Sequence, residues 1–273
     1  MVWLLVTPLV YRVWTPPRTM FMLSDSGSGP TVYQNVDIDY ISRNIIAAVI
    51  SHEDAQLGSR AGPYHLGDYA SRTWTYVTAG EDESGSTIPQ QLVKNVFLLR
   101  GDSFGQEGSM IGVRQAGQIF RVMLKGGDAV LSWPFNLMGD KRQVELYLNY
   151  AQFGPNLYGV CAASWYYFNS APSDVTMTQA ATLAGMLPAG ENGKRLPGGG
   201  VDRTSDGQWV LNSTIERAQN RMPAAIERSG GAEAVAATVG ITGAAADPAG
   251  EKNSCGAMPA SVAERIDAEG GWH

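Results

Sequence analysis

The residues best equipped for chemistry lie in one string, SGSTIPQQLVKN, residues 84–95. Pro89 marks the opening of a helix, where a missing N–H costs nothing, and Ser86 and Thr87 stand just upstream where capping hydroxyls belong. Such a helix start presents unpaired backbone N–H groups and the positive end of a dipole, and both attract phosphate. Gln90, Gln91, Lys94 and Asn95 add side-chain donors over the next turns, so the string reads as a cradle for a phosphorylated ligand. The competing reading is an ordinary capped helix with a solvated polar face. A second pair, Glu53 and Asp54, ends the apolar run in AAVISHEDAQL. An apolar helix end strips water from a carboxylate, which suits a base that must take a proton from a hydroxyl. The alternative is a surface Glu-Asp pair.

The hydrophobic periodicity supplies helices to carry these groups. Ile41, Ile45, Ala48 and Val49 fall at helical spacing, with Glu53 and Asp54 near the C-terminal end of their helix. In DKRQVELYLNYAQFG, residues 140–154, a core stripe of Val144, Tyr147, Leu148 and Ala151 opposes Glu145, Asn149 and Gln152. Thr176 and Gln179 fit a capping box, with Pro188 as a stop. Gly126-Gly127 and Trp133-Pro134 interrupt the helical pattern between these blocks. In ERAQNRMPAAIER, residues 216–228, Arg217 and Arg221 read equally as ligand contacts or as a solvated face. The expected fold class is mainly α.

Composition narrows the function. The 273 residues suffice for one sizeable domain plus a tail. A net charge of −6 and a pI near 5.1, with no basic run, exclude a nucleic-acid footprint. Cys161 and Cys255 sit in different contexts and read as unpaired thiols, and His52, His65 and His273 are too scattered for a metal cluster. The apolar N-terminal run, residues 2–14, contains Pro8 and Arg12 and falls short of the roughly 20 residues that span a bilayer. It lacks the marks of a signal peptide and reads as the last turns of a membrane anchor, leaving through Thr15-Pro16-Pro17. The expected organisation is an anchor remnant over 1–15, a linker over 16–38, a catalytic domain over 39–228 and a loosely ordered Gly/Ala-rich tail over 229–273. No internal repeat is present.

Taken together these strings resemble the peptidoglycan glycosyltransferases, the murein transglycosylases of the monofunctional biosynthetic type. Residues 84–95 resemble the family's second motif and residues 140–154 its fourth. The run ending at Glu53 and Asp54 resembles the first, with Leu57, Arg60 and Gly62 at the places of an aromatic, a histidine and a glycine. The third motif keeps only Arg114, because Gln118 stands where the family has a glutamate; Glu107 is a conceivable substitute. Residues 216–228 resemble a fifth motif, in which Arg217 would meet a lipid-linked phosphate. The resemblance covers about residues 14–228 and leaves no room for a transpeptidase domain.

The resemblance implies a lysozyme-like helical domain on the outer face of the bacterial inner membrane, with residues 69–80, including Trp74 and Tyr76, in a mobile lobe that touches lipid. It implies polymerisation of lipid II into glycan strands with release of undecaprenyl pyrophosphate. Glu53 would act as base with Asp54 supporting it. Ser86, Thr87, Gln90, Gln91, Lys94, Asn95 and Arg114 would hold the donor. A divalent cation, magnesium or manganese, would accompany the pyrophosphate, and other cell-wall synthesis proteins are expected partners. Gln118 keeps the size of the missing glutamate but can neither act as a base nor bind a metal strongly. Two outcomes follow: a polymerase, or a homologue that binds precursor without turnover. A lysozyme-like glycan-cleaving enzyme is a third reading, disfavoured because it needs a second carboxylate.

Overall fold

The computed structural model describes residues 2–24, 29–79, 86–97, 129–205 and 208–272; Ser84, Gly85, Glu107, Arg114, Gln118, Gly126, Gly127 and His273 lie outside the described residues. The chain is mainly helical, as the periodicity predicts. Helices α1 (Val2–Tyr11), α2 (Met20–Ser24), α3 (Arg43–Glu53), α4 (Leu66–Ala79) and α5 (Ile88–Phe97) come first. They are followed by α6 (Asp140–Tyr150), α7 (Gly159–Phe168), α8 (Met177–Met186), α9 (Trp209–Arg228), α10 (Ala232–Thr238) and α11 (Ala260–Ala268). A small sheet runs β1-β3-β2, in which β1 (Val32–Tyr33) is parallel and β2 (Gln152–Gly154) antiparallel to β3 (Leu157–Tyr158). The chain forms two compact units, one of Met1–Ser24 and Ser59–Gln143, the other of Asp25–Gly58 and Val144–His273.

In the second unit α3 is the central helix. Ser42 caps it by accepting from Asn44 N at 3.2 Å, while its hydroxyl donates to the Val175 carbonyl at 3.1 Å. Seven residues, Arg43 and 45–50, are buried against α8, α9 and α10. Each buried Ile or Val contributes about 1.5–3 kcal/mol, so the position of this helix end is strongly determined. The Thr176–Gln179 capping box forms at the start of α8 as expected. Gly185 lets α8 and α9 approach closely, since a Cβ there would lie 2.6 Å from Ile215 Cα.

Asn149 departs from the amphipathic reading of α6. It stands on the expected polar side yet is fully buried. Its Oδ1 accepts from Val36 N at 2.8 Å and its Nδ2 donates to the carbonyls of Val36 and Glu145, each at 2.9 Å. A side-chain amide thus replaces a strand partner for the Val36 backbone. Stranding a buried polar group costs about 1–3 kcal/mol. Asn149→Ala should therefore lower the denaturation midpoint sharply, and Asn149→Asp, which sets a buried carboxylate oxygen against the two carbonyls that Nδ2 serves, should lower it at least as far. An alanine variant with the wild-type midpoint would mean that the clamp contributes nothing.

The tail corrects two expectations. It is folded: α10 and α11 bury Val235, Ala236, Val262 and Ile266. Cys161 and Cys255 are not unpaired thiols but a disulfide, with Cα atoms 5.8 Å apart across 94 residues of sequence. Arg43 is buried and donates from Nε to the Gly243 carbonyl at 2.7 Å and from Nη1 to the Ile41 carbonyl at 2.9 Å. Trp165 Nε1 donates to the Cys255 carbonyl at 2.9 Å. The tail has few apolar residues, but a cross-link and long-range hydrogen bonds fix it. The expected linker is partly structured too, containing α2, β1 and the buried Val36.

In the first unit α2 packs on α5, with Phe21 and Met22 buried on one and Ile88, Leu92, Val93 and Val96 on the other. Helix α1 packs on the 3-10 turn Asn136–Met138. The Tyr11 ring meets Phe135 edge-on at 6.3 Å, and Arg142 donates to the Tyr11 carbonyl at 2.8 Å and to Thr15 Oγ1 at 2.7 Å. Among the described residues no helix is long and apolar enough to cross a membrane. Trp133 and Pro134 do not interrupt the helix, since residues 129–135 are helical through them; the break comes at Gly139, whose φ is +82°.

Candidate active site

Burial along α3 falls away over its last turn. Residues 45–50 are almost sealed, whereas the His52 and Glu53 side chains are 17% and 10% exposed. Asp54 follows with a non-helical backbone (φ −159°, ψ 66°), donates from its N–H to the Ile50 carbonyl at 2.9 Å, and is itself buried. Its carbonyl accepts from Leu57 N at 2.9 Å, making a tight turn that buries Leu57. Gly58 completes the turn with φ +81°, and a Cβ there would collide with the Thr238 carbonyl at 2.3 Å. The turn is thus pinned against α10. Tyr147 is buried beside the carboxylates: burial pushes its phenol well above the usual range, and the charges of Glu53 and Asp54 push the same way. Glu53 is therefore a mostly buried carboxylate at a rigid helix end, with His52 Nδ1 2.7 Å from its Oε1.

The second candidate group, on α5 in the first unit, is built differently from its sequence-based expectation. Helix α5 starts at Ile88, so Pro89 takes the second helical position. Thr87 does not cap with its hydroxyl, which is buried without a hydrogen-bond partner. Instead the side chain of Gln90 turns back, its Oε1 accepting from Thr87 N at 3.0 Å. Gln91 Nε2 donates to the Ser86 carbonyl at 3.0 Å. The two glutamines thus brace the helix start. Gln91, Lys94 and Asn95 share one helical face at the i, i+3, i+4 spacing and are half-buried, while Leu92, Val93 and Val96 point to the core. That face and the exposed Ser86 are the polar surface that α5 offers.

Glu53 and Asp54 are brought together with His52 and Tyr147 in one unit, and Ser86, Thr87, Gln90, Gln91, Lys94 and Asn95 in the other. Arg217 stands on the exposed face of α9, where Ala218 and Met222 turn inward. Arg114 and Gln118 lie outside the described residues. Among the described residues no three or more His, Cys, Asp or Glu side chains cluster so as to hold a metal ion. The periodicity gave no sign of the His52 contact, because neighbours along a helix do not ordinarily face each other.

Residues 25–211 match the transglycosylase family. The chain is 32% identical over 194 residues to a biosynthetic peptidoglycan transglycosylase of Acinetobacter baumannii (strain SDF), covering 68% of this chain and 76% of the relative. It is 33% identical over 190 residues to the protein of the same name from Acinetobacter baylyi, covering 68% and 77%. A third relative so named, from Paraburkholderia xenovorans, is 33% identical over 189 residues, covering 66% and 70%. With the Glu53 turn and the α5 face falling inside the matched segment, the chain belongs to the transglycosylase family.

Proposed function

We propose that this peptidoglycan glycosyltransferase polymerises lipid II into glycan strands, with Glu53 as the base. As Glu53 takes the proton from the acceptor's sugar hydroxyl, that oxygen forms a bond to the anomeric carbon of the lipid-linked donor. The bond from that carbon to the pyrophosphate breaks with inversion, and undecaprenyl pyrophosphate leaves. The leaving group carries the developing negative charge, which fixed N–H groups and cations stabilise. Lys94 and the polar face of α5 would hold it, together with Arg114. The observation that carries the reading is the Glu53 carboxylate, mostly buried at a pinned helix end in a chain of this family. No step is derived through a divalent cation. A lipid II polymerisation assay on the full-length chain in detergent or vesicles tests the reading; glycan strands support it, and bound but unconverted lipid II would favour the binding homologue instead.

Two observations support action at the outer face of a membrane. The disulfide favours an oxidising compartment. Among the described residues every exposed large apolar side chain except Trp209 belongs to the first unit, including Val13, Trp14, Leu23, Leu66 and Trp74. Apolar and aromatic side chains gathered in this way suit a lipid interface. Lys94→Ala should weaken binding of a lipid-linked pyrophosphate by about 1.5–3 kcal/mol, the range for a hydrogen bond to a charged group. Titration with vesicles carrying that lipid measures it, and unchanged affinity would place Lys94 outside the site.

A further inference from the structure

We propose that His52 is a positioning residue for Glu53, holding the plane and rotamer of its carboxylate for proton abstraction; this rests on the reading of Glu53 as the base. The two residues are consecutive, and consecutive side chains on a helix diverge. Here they converge instead, with Nδ1 at 2.7 Å from Oε1, the length of a charge-assisted N–H···O bond. Both side chains are mostly buried, 17% and 10% exposed, so solvent does not replace the contact as it would on a surface. An ionised carboxylate only accepts, so Nδ1 must carry the proton. The contact therefore fixes the imidazole tautomer as well as one carboxylate oxygen.

The surroundings leave the pair little freedom. Asp54 is buried and tied into the turn through Ile50 and Leu57, and Gly58 is pressed on the Thr238 carbonyl. The backbone of Glu53 is thus fixed, and its side-chain torsions are the remaining variables. Hydrogen bonding by His52 restricts them. A base displaced by about 1 Å loses on the order of 10²-fold in rate, which is the scale of the effect expected when the hydrogen bond is removed.

The test compares His52→Ala with His52→Asn in lipid II polymerisation, with melting curves to confirm folding. Asparagine can place its Nδ2 donor near the position of the imidazole Nδ1. His52→Ala should lower kcat by about 10–10²-fold with little change in KM, and His52→Asn should recover most of the loss. Wild-type kcat in His52→Ala, or an asparagine variant as slow as the alanine one, overturns the proposal. A readout independent of turnover is the ¹⁵N spectrum of the His52 ring: Nδ1–H in the wild type, and a shift away from it in Glu53→Ala. The same tautomer in both proteins would also overturn it. If Glu53→Gln polymerises normally, the base assignment fails instead, whatever the ring spectrum shows.

Discussion

Glu53→Gln abolishes polymerisation while lipid-linked substrate still binds. Glutamine has nearly the shape of glutamate, and its Oε1 still accepts from His52 Nδ1, so the 2.7 Å contact and the turn through Asp54 survive the substitution. What is lost is the ability to take a proton. Removing a positioned base costs about 10²–10⁴-fold, and that loss should appear in kcat, with KM and direct binding nearly unchanged. Single-turnover polymerisation of lipid II with parallel binding titrations measures both. Polymerisation at the wild-type rate would remove Glu53 from the chemistry. Gln118→Glu probes the other acidic position of the family pattern, where an amide holds shape but supplies no charge; it should raise polymerisation above the wild type. A wild type that binds precursor but makes no strands, with no gain from Gln118→Glu, would make the protein a binding homologue.

What the sequence revealed was local. The apolar spacing of 45–50 and the carboxylates after it placed Glu53 at a helix end, and the Thr176–Gln179 box placed the start of α8. These features depend on residues within a few positions of one another. Pro89 signalled α5, but which capping bonds would form depended on side-chain rotamers: Gln90 Oε1 accepts from Thr87 N, whereas the Thr87 hydroxyl makes no bond in return. Long-range partners left no local trace. Asn149 reads as a polar surface residue until Val36 is brought against it, and nothing near Arg43 in sequence points to the Gly243 carbonyl that accepts from it. The Gly- and Ala-rich tail reads as loosely ordered because it has no sustained apolar period. It folds because it is tied to a core that the rest of the second unit has already built.

The strongest of those ties gives the other large effect. Removing the Cys161–Cys255 cross-link with a double alanine variant should destabilise the folded chain by about 2–5 kcal/mol, because the bond closes a long loop and so restricts the unfolded state. Both cysteines are fully buried, so the variant also tests a packed site without stranding a polar group. Chemical denaturation should show the lowered midpoint, and hydrogen exchange should quicken first around residue 255, where the bond ties the tail to α7. The effect reaches α3 from its far end, since Arg43 at the start of that helix is held by the Gly243 carbonyl while Glu53 lies at the other end. Stability should therefore fall much more than the turnover of protein that remains folded. Thiol titration in denaturant provides the prior check: protein from an oxidising compartment should show no free thiol until reductant releases both cysteines. Two thiols without reductant, or a double variant with the wild-type midpoint, would remove the cross-link from the account of how the tail is held.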